Sequence, residues 1–176
     1  MVYSPATPIN QNLLPSAQFN FSINRLPNTT YFGQGINIPG MSLPEVPVGT
    51  PFTKIKVPGD SIDWDPLKVE FKVDEDFRNW QELYNWMVGL GFPKNFDQYK
   101  DLKEDGTVSI NPKGSVYSDG NITILDSSNN PNIRIGFQNL FITGLSGLQF
   151  ETTQTGIDYI NAEATFGYTL FEIERL

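Results

Sequence analysis

Carboxylates are the only plentiful reactive groups in this chain: 20 Asp and Glu stand among 176 residues that include no His and no Cys. Without an imidazole there is no ordinary general base near neutral pH. Without a thiol there is no thiolate nucleophile, soft metal site or disulfide scaffold. Asp63-x-Asp65 and Asp74-x-Asp76 have the oxygen chemistry of a hard-cation site, but no further ligands cluster beside them, and turn or helix-cap roles suit them better. The stretch from Asp101 to Gly106 has the outline of a calcium loop, yet it sets Lys103 at the third position and Pro112 at the twelfth. A glycosidase needs two acids that need not be sequence neighbours, and nothing singles out a pair here. Gly33-Gln34-Gly35 lacks the rest of a dinucleotide fingerprint and no strand–helix–strand pattern surrounds it. Catalysis is the weak hypothesis.

Charge and hydropathy narrow the partners as well. With 12 Lys and Arg the net charge is −8, so no basic excess exists to displace counterions from a nucleic acid. No apolar run approaches the roughly 20 residues that span a bilayer. The start, Met1-Val2-Tyr3-Ser4-Pro5, has neither a basic nor an apolar leader region, which predicts folding in a cytoplasm and no membrane partner. Aromatic residues make up 13% of the chain and charged ones only 18%, enough apolar material for one packed domain over residues 1–176.

The elements that must position any site are mostly strands. Residues 1–16, with Pro5, Pro8 and Pro15, predict an extended N-terminal arm. Alternation predicts strands over Gln18–Ile23, Tyr31–Ile38, Thr53–Val57 and Leu67–Val73. Between them, residues 39–51 hold too many prolines for a central strand and predict a long extended excursion. Asp74 or Asp76 is placed to cap one helix, whose apolar face would be Phe77, Trp80, Leu83, Tyr84 and Met87. Gly89, Gly91 and Pro93 end it, and residues 94–119 predict a surface loop. A hairpin follows, Asn121–Asp126 with Asn132–Phe137, setting Ile122 and Ile124 against Ile133 and Ile135. Leu140-Phe141-Ile142 continues it past a bulge, Leu148, Phe150 and Thr152 suggest another strand, and Ala164–Glu174 reads as a bulged last strand whose apolar set changes face.

One stretch carries a resemblance. Ile38-Pro39-Gly40-Met41-Ser42-Leu43-Pro44 leads to Pro47-Val48-Gly49 and then to Lys54-Ile55-Lys56-Val57-Pro58-Gly59-Asp60. Trp64, the Leu67–Val73 strand and Asp74-Glu75 ahead of a helix with Trp80 complete the order. This order resembles the tail tube proteins of T-even-like contractile-tailed phages, and Glu163–Glu174 is similar to that family's last strand. The resemblance implies a mainly β fold, a sandwich or partly closed barrel with one flanking helix and extended arms. It implies a ring, hexameric in that family, whose inner hairpins join into a lumen that DNA passes through without sequence-specific binding. No active site and no cofactor are implied. The partners would be other copies of the chain in its own and stacked rings, and the sheath, baseplate or neck proteins of a virion tail assembled in the host cytoplasm. Candidate subunit contacts are Pro39, Gly40, Leu43, Pro44, Pro47, Val48, Gly49, Lys54, Lys56, Gly59 and Asp60.

The principal expectation is a repeated tube subunit. Residues 1–16, 94–119 and 127–131 exceed a minimal subunit, which favours as the alternative a tube initiator at the baseplate or a neck or terminator ring of the same fold. A receptor- or carbohydrate-binding β-sandwich, with exposed aromatics as its platform, is the competing reading from another class.

Overall fold

Alternation of apolar and polar residues sets two antiparallel sheets that share one long strand. The computed structural model describes residues 14, 18–104, 116–151 and 159–176. Its first half runs β1 (Phe19–Ile23), α1 (Pro27–Tyr31), β2 (Gly33–Ile36), β3 (Met41–Ser42), β4 (Glu45–Gly49), β5 (Lys54–Pro58), β6 (Asp63–Trp64) and β7 (Leu67–Lys72). Then come α2 (Arg78–Gly91), α3 (Asp97–Glu104), β8 (Ser118–Leu125), β9 (Pro131–Leu145), β10 (Asn161–Gly167) and β11 (Leu170–Arg175). The first sheet has the order β1-β8-β9-β11 and the second β9-β10-β7-β2.

β9 belongs to both sheets because it bends. Asn139 takes a left-handed φ of 56°, and the register with β8 slips there, from Gly120↔Phe137 to Ser118↔Leu140. β10 and β11 follow the opposite edge of β9, pairing Gly167 with Phe141 and Leu170 with Gln138 across a break at Tyr168–Thr169. The register is unchanged across that break; the bulge expected in the last strand lies between Thr165 and Phe166, where the pairing with β9 shifts. The hairpin joining β8 to β9 pairs Ile122 with Ile135 and Ile124 with Ile133, the expected register. Its turn is fixed by Asp126, whose Oδ1 accepts from the amides of Ser128 (2.7 Å) and Asn130 (2.9 Å).

One apolar core fills the space under both sheets. Phe21, Ile23, Ile122, Ile135 and Phe137 come from the first, Leu67, Val69, Phe71, Ala164 and Phe166 from the second. α2 closes it with Leu83 and Trp86, the indole of Trp86 lying 6.1 Å from the ring of Phe166. The architecture is the expected mainly β sandwich.

Several local expectations are corrected. The helix α2 buries Asn79, Leu83, Trp86 and Gly89, not the stripe through Phe77 and Tyr84, both of which are exposed; Trp80 is half-buried. The cause is the start of the helix. Phe77 holds the cap position in a left-handed conformation (φ 62°); of the two acids expected there, Asp74 reaches the first turn from outside, its Oδ1 accepting from the Asn79 amide at 3.4 Å, while Asp76 pairs with Arg78. Asn79, fully buried, donates from Nδ2 to the Lys72 carbonyl (2.7 Å) and accepts from the Asp74 and Trp80 amides, tying the end of β7 to the helix. The predicted strand from Tyr31 begins only at Gly33, because α1 occupies the preceding turn. The predicted loop over 94–119 contains α3, which docks by Leu102 on the bare backbone of Gly89. A Cβ at Gly89 would stand 2.9 Å from that of Leu102. Residues 146–151 form no strand, and the suggested Thr152 lies outside the described residues, as does nearly all of the predicted arm over 1–16.

Candidate assembly surfaces

The segment between β2 and β7 projects as an arm made of two short ladders. β3 pairs with β6 at its base (Met41↔Trp64), and β4 pairs with β5 beyond it (Glu45↔Pro58 to Gly49↔Lys54). Neither ladder joins the two large sheets. Ten residues from Met41 to the tip at about 3.3 Å each give a reach of roughly 30 Å. The tip is a tight turn in which the Thr50 amide donates to the Thr53 carbonyl at 2.9 Å, leaving Phe52 99% exposed.

Register divides the outer ladder into two unlike faces. Val46↔Val57 and Val48↔Ile55 form an apolar strip, and all four side chains are exposed. Pro47, Gly49, Lys54 and Lys56 lie on the other face, where Lys56 pairs with Glu45 at 2.5 Å. Met41, Leu43 and Phe52 continue the exposed apolar surface toward the base and the tip. Exposed apolar side chains on an element outside both large sheets make this ladder the candidate contact surface.

All eleven contact residues expected from sequence lie on the arm or its stem, but their situations differ. Pro39 is buried in the stem, Gly59 is half-buried, and the others are exposed. Gly40 and Gly59 hold the arm's own shape. The Gly59 amide donates to the Pro44 carbonyl at 2.8 Å, and a Cβ there would approach that oxygen to 2.7 Å. The sequence reading missed Val46, Phe52, Ile55 and Val57, although strict alternation across Glu45–Gly49 and Lys54–Pro58 separates the two faces once the pairing is known.

Sheet edges supply a second surface. β1 and β11 are the outer strands of the first sheet, and β11 leaves Ile173 62% exposed although its partner Ile135 is buried. The sheet's other face is polar: Asn121, Gly136 and Glu172 align across it, as do Arg134 and Glu174, flooring an open groove of about 590 Å³. Three acids, Asp119, Glu172 and Glu174, line it beside one cation, Arg134. Among the described residues no group of three or more His, Cys, Asp or Glu is arranged to hold a metal, neither Asp63 with Asp65 nor Asp74 with Asp76. The segment from Asp101 to Glu104 is helical rather than a calcium loop.

Sequence comparison finds a curated relative along almost the whole chain. The tail tube terminator protein of Enterobacteria phage T4 is 29% identical over 171 residues, which is 93% of this chain and 90% of that one. Along almost its whole length the chain is similar to the phage T4 tail tube terminator. No protein-family model matches the sequence. Solved structures agree on the fold. The tube-terminating cap of the anti-feeding prophage superposes end to end, covering 100% of both chains with a TM-score of 0.64 at 12% identity. A chain from the sheath/tube terminator of an extracellular contractile injection system, in its extended state, gives a TM-score of 0.59 at 14% identity over 93% of this chain and 98% of that one. At such identities the likeness is one of fold.

Proposed function

We propose that this protein is the terminator of a contractile tail tube: a closed ring, hexameric as the family resemblance implies, that seats on the last tube ring and ends it. Full-length similarity to a terminator favours this reading over the repeated tube subunit that was the principal expectation from sequence. The structural observation that carries it is the pairing of a one-sided apolar arm with a sheet that, among the described residues, is open at both edges. Edges close the ring and arms engage the neighbouring ring.

The strand count makes closure feasible. β1 and β11 run in opposite directions in a four-stranded antiparallel sheet, so β11 of one copy can pair antiparallel with β1 of the next, as in strand addition. Such head-to-tail contacts generate a ring when the rotation closes. Six four-stranded sheets make 24 strands; at about 4.8 Å spacing and a tilt near 40°, the barrel is roughly 48 Å across. That leaves room for a DNA duplex. The polar face with Asp119, Glu172 and Glu174 would line the lumen, and an acid-rich wall lets phosphates slide instead of holding them. The eleven arm residues from Pro39 to Asp60, with Val46, Phe52, Ile55 and Val57 added, form the contact with the tube. Sheath and neck proteins are the outer partners in this reading, with residues 1–176 acting as one tube-like domain.

Seeded tube growth tests it. Adding the purified protein to tubes elongating from their own subunit should stop growth at substoichiometric amounts. Long tubes formed by this chain alone would reinstate the repeated-subunit reading.

A further inference from the structure

Trp64 stands where the arm meets the ring-closing edge. It ends the arm's inner ladder opposite Met41, and its indole packs edge-to-face on Phe171 (5.0 Å) and Tyr168 (6.4 Å). Phe171 belongs to the edge strand β11 and Tyr168 to the break between β10 and β11; both rings also pack on Phe137 of β9, at 5.6 and 5.2 Å. The Tyr168 hydroxyl donates to the Asp65 carbonyl at 2.8 Å, fastening the returning end of the arm to the same break. On its other side the stem is held at the β2–β7 edge, where Asn37 and Lys68 exchange hydrogen bonds. Neither arm ladder is hydrogen-bonded to the sheets, so this aromatic cluster is the packed link between arm and β11 among the described residues.

We propose that Trp64 couples ring closure to arm ordering; the inference rests on the ring reading above. In a lone subunit one side of β11 has no strand partner among the described residues, and Phe171 sits at the irregular start of that strand. Pairing β11 with a neighbour's β1 fixes Phe171 and, through it, Trp64 at the foot of a lever roughly 30 Å long. The apolar strip is then presented in one orientation only after the ring has closed. Coupling of this kind is reciprocal, so an arm already seated on a tube ring favours closure by the same factor. A lone subunit engages weakly through its arm, whereas a closed ring engages with every arm at once.

Hydrogen exchange on the full-length protein, as monomer and as concentration-driven ring, tests the coupling without any partner. In the wild-type chain the amides of Glu45–Gly49 and Lys54–Pro58 should gain about tenfold protection on ring closure, the scale of one to two edge-to-face contacts. Rings of Trp64→Ala should lose most of that gain. Trp64→Phe, which keeps an edge-to-face partner, should retain it, and Trp64→Leu should not; this pair carries the comparison if the alanine variant folds or closes poorly. Equal protection of the arm in Trp64→Phe and Trp64→Leu rings would overturn the coupling while leaving the ring reading intact. A wild-type chain that stays monomeric to its solubility limit would overturn both.

Discussion

Replacing the arm's apolar strip should separate assembly from folding. The perturbation is Val46→Thr, Val48→Thr, Ile55→Thr and Val57→Thr together, which keeps β-branched side chains in the ladder but exchanges a methyl group, or at Ile55 an ethyl group, for a hydroxyl. In the monomer these residues are 50%, 47%, 52% and 40% exposed, so about half of each side chain remains to be buried on docking. Full burial of a Val or Ile is worth about 1.5–3 kcal/mol, and the half still available, reduced because Thr keeps one methyl, comes to about 0.5–1 kcal/mol per residue. Four residues give roughly 2–4 kcal/mol per arm, a weakening of about 30- to 700-fold in dissociation constant. Surface changes of this kind move stability little, within about 0.5 kcal/mol each. Mass photometry of ring and tube mixtures across a concentration series gives the assembly midpoint, and thermal denaturation gives the stability. A midpoint unchanged within threefold, with an unchanged melting curve, would show that the strip does not contact the tube.

Further perturbations probe the core and its electrostatics. Trp86→Ala, at a residue 2% exposed, should cost about 3–5 kcal/mol in urea denaturation, and Trp80→Ala clearly less; the reverse order would contradict the described face of α2. Gly89→Val should cost about 1–3 kcal/mol by overpacking against Leu102, and Leu102→Ala should recover part of that loss in the double variant. Burial pushes the Glu82 carboxyl up, against the lowering effect of its hydrogen bond from Asn28, while Asp74 adds to the rise. Its folded state therefore holds the proton more tightly than the unfolded chain. The contribution to stability is fully present below the unfolded pKa and is lost as pH rises through the folded one. Glu82→Gln should accordingly be more stable than wild type at neutral pH, with the difference shrinking in acid; a difference that grows in acid would refute the assignment.

Period-two segments were legible because their signal is local. β7 and the β8–β9 hairpin follow from alternation alone, since each residue's face depends only on its parity. The helix was legible in place but not in rotation. Its phase depends on the left-handed Phe77 and on a buried Asn79, and a polar residue with no side-chain surface left in water looks, in sequence, like part of the solvent face. α3 escaped because Leu102 alone is buried among its described side chains, too little apolar content to show a period. The arm was visible as an extended, proline-rich excursion. Its two faces were not, because they appear only when β4 meets β5 and Val46, Val48, Ile55 and Val57 fall together. Trp64 and Phe171 lie more than a hundred positions apart, and no local pattern links them.

A terminator differs from a repeated tube subunit in position and copy number, and a cryo-EM map of the intact tail measures both. The expected map shows a single closed ring of this chain coaxial with the tube at its terminal end, with β1 and β11 paired between neighbours and the arms seated on the last tube ring. Density for this chain repeated along the tube, or located on a fibre or the capsid exterior, would contradict it.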